Sequence, residues 1–195
     1  MKIFCSLALI TLLCLPLVNS RAGSVDLEIN SLAKKVDQNE EEAKKLAVTN
    51  KGSLNTTYGQ ITKKQEHWCY ALSIENKAFQ PLIDVDVKYI IYYKVAQLGS
   101  TAQPREQQQS GEDTIKLIGQ HAKQSLDTAA VELNTQAVVG NFYAANGSKL
   151  KVEDSLTGVW VRLYQNGVLI AEYARPTSIP TKKKWDDDYQ KTGKN

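Results

Sequence analysis

Apolar residues recur at every second position through much of this chain. Tyr70, Leu72 and Ile74 form one such row, and Val85, Val87, Tyr89, Ile91, Tyr93 and Val95 form a second, with Asp84, Asp86, Lys88 and Lys94 filling gaps. A period of two sends alternate side chains to opposite faces of a strand, one toward a core and one toward water. The stretch Gln65 to Val95 therefore predicts two strands of a paired sheet, joined by a turn after Glu75-Asn76-Lys77.

The same rule places further strands. Val25 to Asn30 alternates strictly, with a polar face that suits the edge of a sandwich, and can run on to Val36. Asp37 to Leu46 is rich in Glu, Lys and Ala and predicts a short exposed helix or a loop. Gly52 to Thr57 is turn-like, and Tyr58 to Gln65 predicts a strand. Gly99 to Gly111, rich in Gln, Ser and Thr, predicts a solvated loop. A short strand follows at Thr114 to Ile118, then a polar connection over Gly119 to Asp127. Ala129, Val131 and Leu133 mark the next strand, and Asn146-Gly147 predicts a hairpin turn. The firmest element is the last hairpin, Val159 to Tyr164 and Val168 to Ala174, because Asn166-Gly167 accepts the positive φ angles of a two-residue turn. Pro176 and Pro180 stop the sheet, and Lys182 to Asn195 reads as a frayed charged tail with Trp185 as its only candidate anchor.

Many short strands without βαβ alternation or a long amphipathic helix give an all-β class. The expected architecture is a two-sheet β-sandwich of immunoglobulin or fibronectin type, with a closed barrel as the alternative. Residues 21–180 are expected to form this single domain, with residues 181–195 as the tail.

The first twenty residues predict a cleaved signal peptide. Lys2 precedes an apolar run from Ile3 to Val18, too short for a bilayer-spanning helix, and Val18-Asn19-Ser20 offers a cleavage site. A secreted or periplasmic address follows, with no transmembrane segment in the mature chain and a monomer-sized product. Cys5 and Cys14 leave with the leader, so Cys69 has no internal disulfide partner. The formal net charge of +3 provides no one-sign surface for nucleic acid.

Chemical constellations are sparse. His67 and Cys69 share one face of a strand, but the other histidine, His121, falls in a distant loop, so no metal or cofactor is assigned. Cys69 is expected to be covered and unreactive. Asp186-Asp187-Asp188 reads as a solvated acidic run. Asn55-Thr56-Thr57 and Asn146-Gly147-Ser148 match the N-glycosylation acceptor pattern. The motifs of nucleophilic, zinc-dependent and phosphate-binding catalysis do not occur, so no enzyme activity is expected, with a carboxylate-dependent hydrolase as a minor alternative. Aromatic residues are the better lead. Tyr92 lies opposite the apolar row of its strand, and Trp160 and Tyr164 lie opposite Val159, Val161 and Leu163. Exposed rings there suit a sugar or a protein, whereas rings covered by another part of the chain would build a second core.

The run YALSIENKAFQPLIDVDVKYIIYYK, followed by DTIKLIG and AAVELN, resembles the early strands of immunoglobulin-like, cell-adhesion-related bacterial modules. The ending GVWVRLYQNGVLIAEYARP is similar to the closing hairpin of exported proteins of planctomycete and verrucomicrobial type. The resemblance implies a fold and an address but transfers no residue role. The expected function is a non-catalytic exported structural or adhesion-type module whose partner is a protein or cell-envelope component. The alternative is a carbohydrate- or small-ligand-binding domain that uses Tyr92, Trp160 and Tyr164 against a glycan.

Overall fold

The computed structural model describes residues 26–36, 61–100, 102–139 and 150–185. Among them the strands are β1 (Leu27–Val36), β2 (Ile61–Asn76), β3 (Leu82–Val95), β4 (Arg105–Ile118), β5 (Lys123–Asp127), β6 (Val131–Val138), β7 (Lys151–Glu153), β8 (Ser155–Gln165) and β9 (Val168–Arg175), and one short helix, α1, spans Ile179–Lys182. They form two antiparallel sheets, so the all-β sandwich expected from the period of two is present. One sheet runs β1-β2-β6-β7, with β5 also on β2, and the other runs β4-β3-β8-β9.

The two apolar rows of the sequence meet across the core. Tyr70, Leu72 and Ile74 of β2 pack with Val85, Val87, Tyr89 and Ile91 of β3 and with Val159, Val161 and Leu163 of β8. This corrects the expectation that the first two rows belong to one paired sheet. Both rows seek burial, and facing each other across the sandwich buries both at once, which pairing edge to edge would not do. The turn between them is a crossover. Asn76 holds it from inside: its side-chain amide donates to the carbonyls of Gln80 (2.8 Å) and Gly119 (3.1 Å), and its Oδ1 accepts from the amide of Ala78 (3.0 Å). Asp84, at φ +50°, shifts the phase at the start of β3. Leu82 and Ile118 consequently face the core, while Ile83 and Leu117 are exposed.

Two stretches expected to be irregular are strands. Arg105 to Gly111 belongs to β4 and pairs with β3 from Tyr89↔Gly111 to Val95↔Arg105. Lys123 to Asp127 is β5, paired with Ala71 to Glu75. Each is held by a backbone ladder to a neighbour with an apolar row, so neither needs an apolar row of its own. β5 and β6 share one edge of β2 in succession, and Thr128 bridges the gap between them by donating its amide to the Tyr70 carbonyl (2.9 Å) and accepting the Tyr70 amide on its hydroxyl (2.9 Å).

β1 is an edge strand, as its one-sided pattern predicts, and β6 pairs antiparallel with β7 on either side of the expected 146–147 turn. That turn, the leader, the 37–60 stretch and the triple Asp run lie outside the described residues. The β8–β9 hairpin turns at Asn166 (φ +51°) and Gly167 (φ +75°), as the Asn-Gly pair requires. The open sides of the sandwich are tied by side chains. The Ser31 hydroxyl lies 3.1 Å from that of Tyr173, and the Arg175 guanidinium donates to the Ser31 carbonyl (2.9 Å). These are point links between separate sheets, so the barrel alternative does not describe the fold.

Candidate functional site

The three aromatic residues singled out in the sequence lie on the outer face of the β4-β3-β8-β9 sheet. They do not form an exposed platform there. Trp160 is 2% exposed and Tyr92 6%, and with Ile90, Ile179 and Trp185 they make a second apolar cluster. Tyr164 is half-buried, with the Lys88 ammonium 5.6 Å from its ring centroid. Of the two readings the sequence offered, exposed rings or a covered second core, Tyr92 and Trp160 follow the second.

What covers them is the segment after β9. Pro180 sits in the first turn of α1, where a missing N–H costs nothing. Ile179 drops onto Gly158, where any Cβ would sit 2.6 Å from the Ile179 Cδ1 and 2.5 Å from the Arg175 carbonyl oxygen. Trp185 then packs edge-on against Trp160, with centroids 5.0 Å apart. The Arg162 guanidinium lies 4.9 Å from the Trp160 centroid and 4.6 Å from that of Trp185. Glu172 receives both the Trp160 indole N–H (3.0 Å) and Arg162 Nε (2.7 Å), while Lys183 reaches over Tyr92 and pairs with Glu106. Trp185, the tail's candidate anchor in the sequence, thus packs onto the domain, while Lys182 and Lys184 stay exposed.

The open space lies elsewhere, at the end of the sandwich where the two sheets part. A cavity of about 240 Å³ sits beside Trp185, but a larger one of about 310 Å³ is lined by Ala33, Glu66, Trp68, Leu133, Thr135, Glu153, Asp154, Ser155 and Leu156. An adjoining one of about 370 Å³ shares Ala33 and Leu156 and reaches Tyr70 and Arg175. Trp68 is in phase with Tyr70, Leu72 and Ile74, so it faces the core side, yet it stands near the end of the packed region and remains partly open. Its indole N–H donates to Glu66 Oε2 (3.2 Å). The other oxygen of Glu66 accepts from Lys64 (2.6 Å) and Lys35 (3.1 Å). Those two ammonium groups, Lys64 foremost, outweigh partial burial and hold the Glu66 carboxyl at about 2, far below its ordinary range.

Asp154 marks where the chain leaves one sheet for the other. Its carboxylate accepts the amides of Ala96 (2.9 Å) and Asn134 (2.8 Å), one from each side of the sandwich. Glu153 pairs with Lys151. Three carboxylates therefore line or border this cavity, and each is engaged by a lysine or by backbone N–H groups. The wall that faces the space is an indole, the side chains of Leu133 and Leu156, and the hydroxyls of Thr135 and Ser155. Sequence reasoning missed Trp68, although its phase with Tyr70 was available as a signal. That the core row runs past the end of the packed sandwich is a property of the tertiary structure.

On the outer face of the same sheet, next to Trp68 in β2, Cys69 is 2% exposed, and burial raises its thiol pKa above the usual range. The ion pair between Lys34 and Asp127 (2.6 Å) lies beside it, on the strands to either side. His121 packs edge-on against Phe79, near Asn76, at the far end of β2 from His67. The three sulfur and imidazole groups do not converge, and among the described residues no group of three His, Cys, Asp or Glu side chains could hold a metal ion. No helix of the described residues is long and apolar enough to cross a membrane.

No family model and no curated protein matches this chain. Among solved structures, it is similar to the X-ray structure of a Northeast Structural Genomics Consortium target, SoR45, at 10% identity and a TM-score of 0.29 over 75% of this chain and 92% of that one. It is also similar to a Bordetella pertussis structural-genomics target provisionally designated ApaA, at 13% identity and a TM-score of 0.26 over 77% of this chain and 92% of that one.

Proposed function

We propose that this chain is a non-catalytic exported β-sandwich module that acts through contact with a protein or cell-envelope component, and that the contact is made at the Trp68 end of the sandwich. The observation that carries this reading is the Trp68 cavity itself. It combines an indole face and two leucines with hydroxyl groups at the rim, while its carboxylates are held in internal ion pairs and backbone hydrogen bonds. Such a site suits an apolar or aromatic side chain of a partner, because apolar surface supplies the binding energy and the rim supplies orientation. It does not suit carboxyl-pair hydrolysis. That chemistry needs one carboxyl held protonated near neutral pH, and Glu66 is displaced in the opposite direction. The reading agrees with the resemblance to immunoglobulin-like adhesion modules.

The indole and hydroxyl lining also supports the carbohydrate reading, now centred on Trp68 in place of the covered Tyr92 and Trp160. One experiment separates the two. Thr135→Arg fills the cavity from a partly exposed strand position, and circular dichroism confirms the fold. Capture of an envelope component that is lost in this variant, without retention in a polysaccharide gel, supports protein contact. Retention on a glycan that disappears in the variant supports the second reading. Capture and retention both unchanged in Thr135→Arg would remove the Trp68 end from either function.

A further inference from the structure

Sheet edges carry unpaired backbone groups, and folded proteins protect them by shortness, charge or cover. Among the described residues, four of the five edges here follow that rule: β5 is only Lys123–Asp127, charged at both ends, and β9 carries Glu172 and Arg175. β7 is only Lys151–Glu153. β1 carries Lys34 and Lys35, both in ion pairs, and it is tied to β9 at the open side of the sandwich through Ser31, Tyr173 and Arg175. β4 is the exception. It runs from Arg105 to Ile118, pairs with β3 on one side, and has no strand on the other among the described residues. Its middle, Gln107-Gln108-Gln109-Ser110-Gly111, has neither a charge nor a proline to discourage pairing.

We propose that β4 pairs antiparallel with β4 of a second copy of this chain, about a two-fold axis at Gly111, joining the two four-stranded sheets into one. The charges of the strand select that register. An axis at Gly111 overlaps Arg105 to Leu117 and sets Glu106 opposite Lys116 twice, with no like charges opposite one another. An axis at Glu112 or Asp113 stacks identical carboxylates on the axis, and one at Gln109 sets Glu106 against Glu112. An axis at Ser110 shortens the ladder and pairs no charges. The surrounding ion pairs fit the same register. Glu106 already meets Lys183 and Lys116 already meets Asp84 within one copy. Across the proposed junction these join into a row of alternating sign, Lys183, Glu106, Lys116 and Asp84, with the last two from the second copy. Opposite charges directly across a ladder stabilise it and like charges weaken it. Backbone hydrogen bonds supply the rest, as in other strand-addition contacts. The monomer-sized product expected from the sequence gives way to a symmetric dimer.

Sedimentation velocity of the purified protein from low to high micromolar concentration tests this. The expected result is a concentration-dependent dimer. Lys116→Glu, at a side chain 83% exposed, sets two carboxylates against each other at both ends of the junction and should weaken the dimer about tenfold. Glu106→Lys should do the same. The double variant exchanges the two signs and should recover the dimer, which separates a junction effect from a folding defect. Mixed Gln108→Cys and Thr114→Cys chains should form a disulfide-linked heterodimer above the background of the parent, whose Cys69 is buried. A parent chain that stays monomeric throughout, or a dimer indifferent to both single reversals, overturns the proposal.

Discussion

The two outer faces of this sandwich solve the same problem differently. On the β4-β3-β8-β9 sheet the outer row carries Ile90, Tyr92, Trp160 and Ala174, and the chain folds back over it with Ile179 and Trp185. On the other sheet the outer row of β2 is His67, Cys69, Ala71, Ser73 and Glu75, flanked by Asn30, Lys34, Ser125 and Asp127 on neighbouring strands. There the lone buried thiol lies beside an ion pair. The contrast teaches that aromatic side chains on the side of a strand away from the main core were a sign of a second layer within the same chain. Small side chains on the corresponding side of the other sheet let neighbouring polar groups close over Cys69.

Four measurements can break or sharpen that contrast. The largest effect is expected from Trp160→Ala, which empties the centre of the second cluster. It should cost about 3–5 kcal/mol in urea unfolding and expose residues 176–185 to proteolysis. A loss near that of a surface substitution would show that the covering segment contributes little. Next is Gly158→Val, whose side chain would need the space taken by Ile179 and the Arg175 carbonyl. It should cost about 1–3 kcal/mol and weaken the same segment while leaving the main core intact. Protection of residues 176–185 that is unchanged in this variant would sink the packing account.

Acid tests the end of the sandwich that neither layer covers. The Glu66 carboxyl sits at about 2 in the folded protein against 4.5 in its ordinary state, so its contribution is fully present above about pH 4.5 and lost as pH falls toward 2. Glu66→Gln should cost about 1 kcal/mol at neutral pH. It should also flatten the stability profile between pH 4.5 and 2, and a variant profile as steep as the parent's would assign that acid response to other groups. The smallest effect belongs to the outer face of β2. Lys34→Ala should change stability by no more than about 0.5 kcal/mol. It should nonetheless speed native thiol labelling of Cys69, which in the parent is slow relative to the denatured chain. Fast labelling of the parent would mean that Cys69 is open after all.

Much of the fold followed from alternation, and the reasons for the exceptions are specific. The core rows of β2, β3 and β8 lie as their period of two predicts, because burial on one face is what that period records. The β8–β9 turn falls on Asn166-Gly167 because few other residue pairs accept its backbone angles. The first half of β4 and all of β5 carried no such record. A strand whose stability comes from a neighbour's ladder can be written in Gln, Ser, Glu and Lys, and its own residues then look like a loop. Asp84 gave no warning of the phase change that turns Leu117 outward, since positive φ at an aspartate is a local choice allowed by its surroundings.

For the candidate site the division is sharper. The sequence by itself determined that the chain is all-β, which rows are apolar, where the last hairpin turns, and that Tyr92, Trp160 and Tyr164 stand opposite the core row. Only the tertiary structure decided that Tyr92 and Trp160 are covered and that Trp68 borders a cavity. Side-chain alternation is local and reports which way a residue points. Whether anything lies in that direction depends on where a segment distant in sequence comes to rest, and the covering of Trp160 by Trp185 is settled by packing between residues that no period connects.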